Sequence, residues 1–425
     1  MSKMTPVGRH NARQLYYDVT WFGVTAGSPL AFLPVYAARL GASSLQVALL
    51  TAFPALVNLL LSLPAARLLE GRPLFRPTLT ALILHRPAYA LFALLPWLLM
   101  PDAEVWALVA ITAVMAVTGT VINVAFNAMF ADIVAPEFRS EVVGRRNALM
   151  ALAMLVTSLA CGWLLEVVVF PLNYQLVFLL GLVGVIMSTV YVTRLKVDPA
   201  KPPRVGAPLL DIGRPTSFRF GDAIRHAPGL RFLVRSKGRD LLRLDLLRGP
   251  FGPFIFTYLM FYMFQFTPIP ILPLFWVNGL GLSDGTISIG SAIFQSTMFM
   301  AALSAAPLSQ RWGNRAPLVV GAILYGAYPL LNGLAQGSVL FLIASVVGGV
   351  IWGVANVSLA TRLFERVPAD DRPAHMALFN LAVNFGMLAG SLIGPVLAEW
   401  LGLREALWVA AGLRLLAGLL LWRWG

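Results

Sequence analysis

Charge is scarce in this chain. Asp, Glu, Lys and Arg make up 12% of its 425 residues, 58% are hydrophobic, and the mean hydropathy is +0.77. An ordinary soluble domain is about a quarter charged, so the shortage excludes a string of water-soluble domains. Cysteine is nearly absent: Cys161 stands alone, which excludes an intrachain disulfide. None of the four lysines (Lys3, Lys196, Lys201, Lys237) precedes Ser or Thr, so there is no phosphate-cradling GK[ST] loop. The four histidines (His10, His85, His226, His375) are scattered, with no HExxH or CxxC pair. Neither a metal site nor any other cofactor is expected. Gly281-Leu-Ser283-Asp-Gly285 matches GxSxG, but a nucleophile elbow needs a strand, a turn and a partner His. The chain does not read as an enzyme.

Long apolar runs are what the sequence has instead. A bilayer-crossing helix needs about 20 mostly apolar residues. Suitable runs fall near 15–37, 44–66, 78–100, 105–131, 147–170 and 174–194, then near 251–278, 286–308, 316–335, 338–361, 375–401 and 405–423. We number them spans 1 to 12. Between the two sets lies 195–250, the longest polar stretch, rich in Arg and Pro. The net charge of +13 does not mark a nucleic-acid binder, because the basic residues lie between apolar runs. With the N-terminus in the cytoplasm, all of the 32 Lys and Arg except Arg39, Arg404 and Arg414 fall on or toward the cytoplasmic side, while Asp102, Glu104 and Asp284 lie outside. This positive-inside pattern predicts a cell-membrane protein with both termini cytoplasmic. The basic start, Met1–Gln14, reads as the lead into an uncleaved first span.

The chain also repeats itself. Residues 121–166 align without a gap on 354–399, at an offset of 233. The identities include Asn123/Asn356, Arg139/Arg372, Asn147/Asn380, Ser158/Ser391 and Glu166/Glu399, and Asp132 meets Glu365. A shorter echo pairs Leu40-Gly41-x-Ser43 with Leu280-Gly281-x-Ser283. The offset skips six spans, an even number, so the two halves run parallel. Parallel halves with a site between them are a transporter architecture.

With these features the sequence resembles the major facilitator superfamily over essentially its whole length. Asp132-Ile-Val-Ala-Pro-Glu-Phe-Arg139, followed by Arg145-Arg146-Asn147, looks like that family's loop between helices 4 and 5. Pro307-Leu-Ser-Gln-Arg311-Trp-Gly313-Asn-Arg315 resembles its signature loop between helices 8 and 9, with Gln310 where the family usually has an acid. Arg67-Leu-Leu-Glu70-Gly71-Arg72 is a looser first-half counterpart. The resemblance implies an all-α integral membrane protein of twelve transmembrane helices. Its parts would be a bundle over 1–194, a basic cytoplasmic linker over 195–250 and a second bundle over 251–425.

Ionisable groups inside spans are costly and so point to function. Asp18 in span 1 and Arg86 in span 3 are the coupling candidates, Arg86 near mid-bilayer and long enough to reach toward Asp18. Asn123, Asn127, Asn356, Asn380 and Asn384 pair up at helical spacing and, with Tyr262 and Gln265 of span 7, are candidates for a polar cavity wall. The run Pro268-Ile-Pro270-Ile-Leu-Pro273 is expected to break span 7, with Pro29 and Pro34 a looser counterpart in span 1. Asp132, Arg139, Glu365, Arg372 and Arg311 are candidates for a cytoplasmic gate. Gly386, Gly390 and Gly394 predict close helix packing in span 11, and Arg414 is read as a packing or snorkelling residue. The whole reads as a monomeric secondary transporter that moves a small-molecule substrate through the lipid bilayer by alternating access. Proton-coupled export of amphipathic compounds is the first expectation. Uptake of a small metabolite by uniport or symport, with protons or another coupling ion, is the alternative, and a non-transporting receptor is the competing class.

Overall fold

A computed structural model describes residues 4–69, 73–196, 235–236, 239–240, 244–368 and 372–425. Most of the 195–250 linker, and part of the 67–72 segment, lie outside the described residues. The described chain is helical apart from loops and one two-residue pairing, Arg235–Ser236 with Arg239–Asp240. Eleven of its helical segments are long and apolar enough to cross a membrane. Span 1 is the exception, because Arg9, Arg13 and Asp18 dilute its first helix.

Span 1 comprises Pro6–Gly27 and Pro29–Arg39, span 2 Ser44–Leu69, and span 3 Phe75–His85 and Pro87–Leu98. Span 4 is Pro101–Ile133, span 5 Pro136–Val167 and span 6 Leu172–Thr193. In the second half, span 7 is Phe251–Phe266 followed by Ile271–Leu274 and a π turn over Phe275–Gly279. Span 8 is Asp284–Trp312, span 9 Arg315–Leu324 and Ala327–Leu334, span 10 Ser338–Arg366, span 11 Arg372–Leu401 and span 12 Leu403–Trp424. Exposed tryptophans ring both ends: Trp97, Trp106, Trp163 and Trp400 at one, Trp312, Trp422 and Trp424 at the other. That is the girdle expected at the two membrane interfaces.

The short echo turns out to be a stop and a start. Gly41 and Gly281 have φ of +85° and +61°, the left-handed region in which glycine ends a helix at least cost. Ser43 and Ser283 follow as N-caps, each accepting a backbone N–H from three residues on at 3.2 Å. The longer repeat also holds: Val134 and Val367 are the extended residues that end spans 4 and 10. The 132–147 segment is less of a loop than its sequence suggests. Pro136 occupies the first turn of span 5 with Glu137 beside it, so the helix begins well before the apolar run. Span 1 likewise begins at Pro6, capped by Thr5. Asp18 therefore stands about three turns into a helix, not one.

Four spans break in mid-course. Span 1 breaks at Ser28, span 3 at Arg86, span 7 over 267–270 and span 9 at Tyr325–Gly326. A proline follows the break in spans 1 and 3 and lies within it in span 7, removing an N–H and crowding the preceding turn.

Small residues let the helices of each half approach closely. A Cβ at Gly23 or Gly27 of span 1 meets the Met150 or Met154 backbone of span 5. The second half inverts this: Gly386, Gly390 and Gly394 of span 11 face the span 7 backbone at Leu259, Met263 and Thr267. Gly390→Leu would drive a side chain into the Met263 carbonyl. It should cost about 3 kcal/mol, read as a lower melting temperature and less folded protein, with activity per folded molecule retained. Wild-type melting in this variant would refute the packing role.

Candidate functional site

The halves meet through span 2 on span 11 and span 5 on span 8. Their hydrogen bonds and ion pairs cluster at the end away from both termini. There Arg39, closing span 1, grips Asp284 at the head of span 8 with Nε and Nη2 at 3.1 and 3.0 Å, and Nη2 also donates to the Leu282 carbonyl at 2.6 Å. Ser283 donates to Glu166 of span 5 at 2.7 Å, and Ser288 to the Ser158 carbonyl at 2.5 Å. Gly162 gives Ser288 room to approach. Glu166 and its repeat partner Glu399 are both exposed, and it is Glu166 that bonds across the halves.

Beneath this seal lies a cavity of about 200 Å³ between the halves. Ala31 of span 1 and Met154, Leu155 and Ser158 of span 5 form one wall. Spans 7 to 10 form the other, with the rings of Trp276, Phe294, Tyr328 and Phe341 and the polar groups of Ser291, Gln295 and Ser345. No Asp, Glu, Lys, Arg or His is among the lining residues. Two polar groups there are poorly satisfied. Among the described residues, Ser158 Oγ is buried without a hydrogen-bond partner, and Gln295 reaches only the Met154 thioether, at 3.4 Å. The Trp276 N–H is already held by Asn332 Oδ1 at 2.8 Å. A buried polar group left unmatched costs free energy, so a hydroxyl-bearing ligand would relieve this wall.

A second constellation lies in the first half. Asp18 is 6% exposed. Its Oδ1 accepts the Ser188 hydroxyl at 2.7 Å, and its Oδ2 stands 3.6 Å from Arg146 Nη2. The Arg146 guanidinium packs on the rings of Phe126 and Phe130, 5.1 and 5.3 Å from their centroids. Arg86, at the break of span 3, donates to Thr189 at 2.9 Å, one residue along span 6 from Ser188. The structure thus brings Asp18 and Arg86 to neighbouring residues of span 6, and gives Asp18 its ion pair with Arg146. Arg146 was visible in the sequence only as part of a loop motif. Because span 5 begins at Pro136, it becomes an inward-facing helical residue.

The other predicted site residues scatter. None of Asn123, Asn127, Asn356, Asn380, Asn384, Tyr262 and Gln265 lines the cavity. Asn123, Asn127, Asn356 and Asn380 are exposed on their helices, and Asn384 donates back to the Asn380 carbonyl at 2.8 Å. Tyr262 packs edge-on against Phe379. Gln265 is buried, with its carbonyl taken by Arg414 at 2.8 Å. At the opposite end from the seal, Arg139 Nε donates to the Val134 carbonyl at 3.1 Å, and Asp132 is half-buried nearby. Glu365 takes Arg362 at 2.9 Å and Asn314, both within its own half. Arg311 is exposed, and the side chain of Arg372 lies outside the described residues. The sequence signals that pointed to this wall were faint: Ser158 is one of the repeat identities, and Gln295 is the one amide within span 8 before Ser309-Gln310.

A family model described as Major Facilitator Superfamily matches residues 19–248 and 254–425. Sugar transport protein 11 of Arabidopsis thaliana is 32% identical over 125 residues, covering 28% of this chain and 24% of that protein. Multidrug resistance protein MdtG of Proteus mirabilis is 30% identical over 151 residues, 34% of this chain and 36% of that protein. The chain therefore spans about a quarter to a third of the length of these curated relatives. The crystal structure of the nucleoside transporter NupG is 13% identical with a TM-score of 0.69, covering 97% of this chain and 98% of that one. That likeness bears on the fold alone.

Proposed function

The chain belongs to the Major Facilitator Superfamily, a multi-pass membrane transport protein, and on that footing we propose that it carries an uncharged, hydroxyl-bearing ring solute of monosaccharide size. Transport proceeds by alternating access, with residues 1–194 rocking against 251–425 about the cavity. Asp18 is the proton site that couples the cycle. The observation that carries the substrate class is the cavity wall: aromatic faces for an apolar ring face, unmatched hydroxyl and amide groups for its edge, and no charge. Its volume of about 200 Å³ lies below the roughly 300 Å³ at which pockets begin to suit drug-sized ligands. This favours a small metabolite over the bulkier amphipathic cargo that composition alone suggests.

On this reading the basic span ends lie in the cytoplasm, the sealed Arg39–Asp284 end faces outward, and the closed outer end belongs to an inward-facing form. Asn123 and Asn127 then expose their amides on one helical face within span 4, a placement tolerated where water enters between the halves.

Flux in proteoliposomes against a panel of neutral pyranosides and nucleosides tests the reading. Gln295→Leu removes the side-chain amide of the wall. It should weaken uptake of the accepted solute by about tenfold, or roughly 1.4 kcal/mol, at an unchanged melting temperature. Undiminished affinity in the folded variant would move the site elsewhere.

A further inference from the structure

The acidic residues of the second half all fall at span ends or between spans. Arg414, midway along span 12, is 2% exposed and is the one buried Asp, Glu, Lys or Arg among the described residues of that half. It does not snorkel. Nη2 donates to the Gln265 carbonyl at 2.8 Å and Nη1 to the Tyr325 carbonyl at 3.4 Å, while Nε has no hydrogen-bond partner among the described residues. Both carbonyls are products of broken helices. Ile269, four residues after Gln265, turns its N–H to Phe266 instead, and Pro329, four after Tyr325, has no N–H to give.

A neutral donor would satisfy those carbonyls as well. The arginine adds a fixed positive charge, and it stands directly behind the cavity. Its guanidinium lies over the Tyr325 ring, 4.2 Å from the centroid. Tyr325 stacks parallel on Tyr328 at 6.2 Å, and Tyr328 lines the cavity. No acidic side chain lines the cavity to balance it. The buried cluster of the first half has the same sign of excess, with Arg86 and Arg146 set against Asp18.

We propose that Arg414 is a specificity-determining residue, whose charge behind the Tyr325–Tyr328 stack excludes cationic solutes from the cavity and leaves it to neutral and anionic ones. The inference rests on the cavity being the substrate site. A fixed positive charge beside a narrow membrane pathway, a single arginine included, rejects cations generally. At a separation of about 10 Å and an effective dielectric near 20, Coulomb repulsion weakens a monovalent cation on the order of tenfold.

Three probes that differ only at one ring substituent test this at pH 7: D-glucose, 6-amino-6-deoxy-D-glucose as the cation, and D-glucuronate as the anion. Binding to the purified full chain is expected to be at least about tenfold weaker for the amine than for glucose, with glucuronate no weaker than glucose. Arg414→Gln should bring the glucose-to-amine ratio below about threefold, whereas Arg414→Lys should preserve it. The same ratio in Arg414→Gln as in the wild type overturns the proposal. Should the Gln variant not fold, equal affinity of the wild type for glucose and the amine overturns it as well. Gln295→Leu separates the two readings. Binding that ignores this substitution removes the cavity as the site, while Gln295-dependent binding with no preference against the amine removes only the role of Arg414.

Discussion

Asp18→Asn is expected to abolish solute accumulation driven by a proton gradient, by about a hundredfold or more, while solute binding and exchange across the membrane persist. The carboxylate is 6% exposed and bonded to Ser188, with Arg146 as its ion-pair partner at 3.6 Å. A proton arriving on Asp18 discharges that pair. It would loosen the contact of span 1 with span 5 roughly one to three turns along the helix from where Gly23 and Gly27 bring the two backbones together. Asn keeps an acceptor for Ser188 but holds no exchangeable charge, so the variant is fixed at one end of the cycle. Arg146→Gln serves as the companion. Removing one partner of a buried pair costs about 3–5 kcal/mol, less here because the Arg146 side chain is 17% exposed. Adding Asp18→Asn to that variant should recover most of the lost stability. Proton-driven accumulation that survives in Asp18→Asn, with unchanged dependence on the gradient, would leave Asp18 a structural residue and move the coupling site to another group.

Arg39→Glu should produce the largest conformational effect. The Arg39–Asp284 pair is partly buried and reinforced by the Leu282 carbonyl. The substitution sets two carboxylates face to face where the halves are joined. A loss of about 2 kcal/mol from the sealed form shifts the balance between the two access states by roughly thirtyfold. Buried Cys161 is the sole cysteine, so a single reporter is readily placed: Ser291→Cys in a Cys161→Ser background. An impermeant maleimide added from the sealed side should label it at least about tenfold faster in Arg39→Glu than with Arg39 present. The swapped double variant, Arg39→Glu with Asp284→Arg, should restore slow labelling. Equal rates in all three would show that the seal is held by the remaining contacts of spans 5 and 8, the Ser283–Glu166 and Ser288–Ser158 hydrogen bonds among them.

Much of this architecture is legible in the sequence because the bilayer leaves the chain few options. Backbone groups in hydrocarbon must be satisfied within the segment, so each apolar run is necessarily a helix. The offset of 233 then orders the helices into parallel halves. The breaks were legible where proline signals them, as in span 7. The break of span 9 at Tyr325–Gly326 was not, because Pro329 acts on a carbonyl four residues upstream of itself. The functional residues were harder. Seven polar residues of spans 4, 7, 10 and 11 were reasonable wall candidates by residue type; none of the seven lines this cavity, to which spans 7 and 10 contribute Trp276, Phe341 and Ser345 instead.

Composition, hydropathy and the internal repeat thus determined by themselves that this is a membrane protein of two parallel helical halves, since those properties follow from burial in lipid and are local to each segment. Which side chains share a site was decided only by the tertiary structure. Arg146 pairs with Asp18 across 128 positions of sequence, and Arg414 caps carbonyls on two other spans. A helix has a full circle of faces, and its apolar sequence in lipid does not say which of them turns toward a neighbour. That choice is made by glycines, breaks and buried charges of several spans meeting at once, a relation no single segment contains.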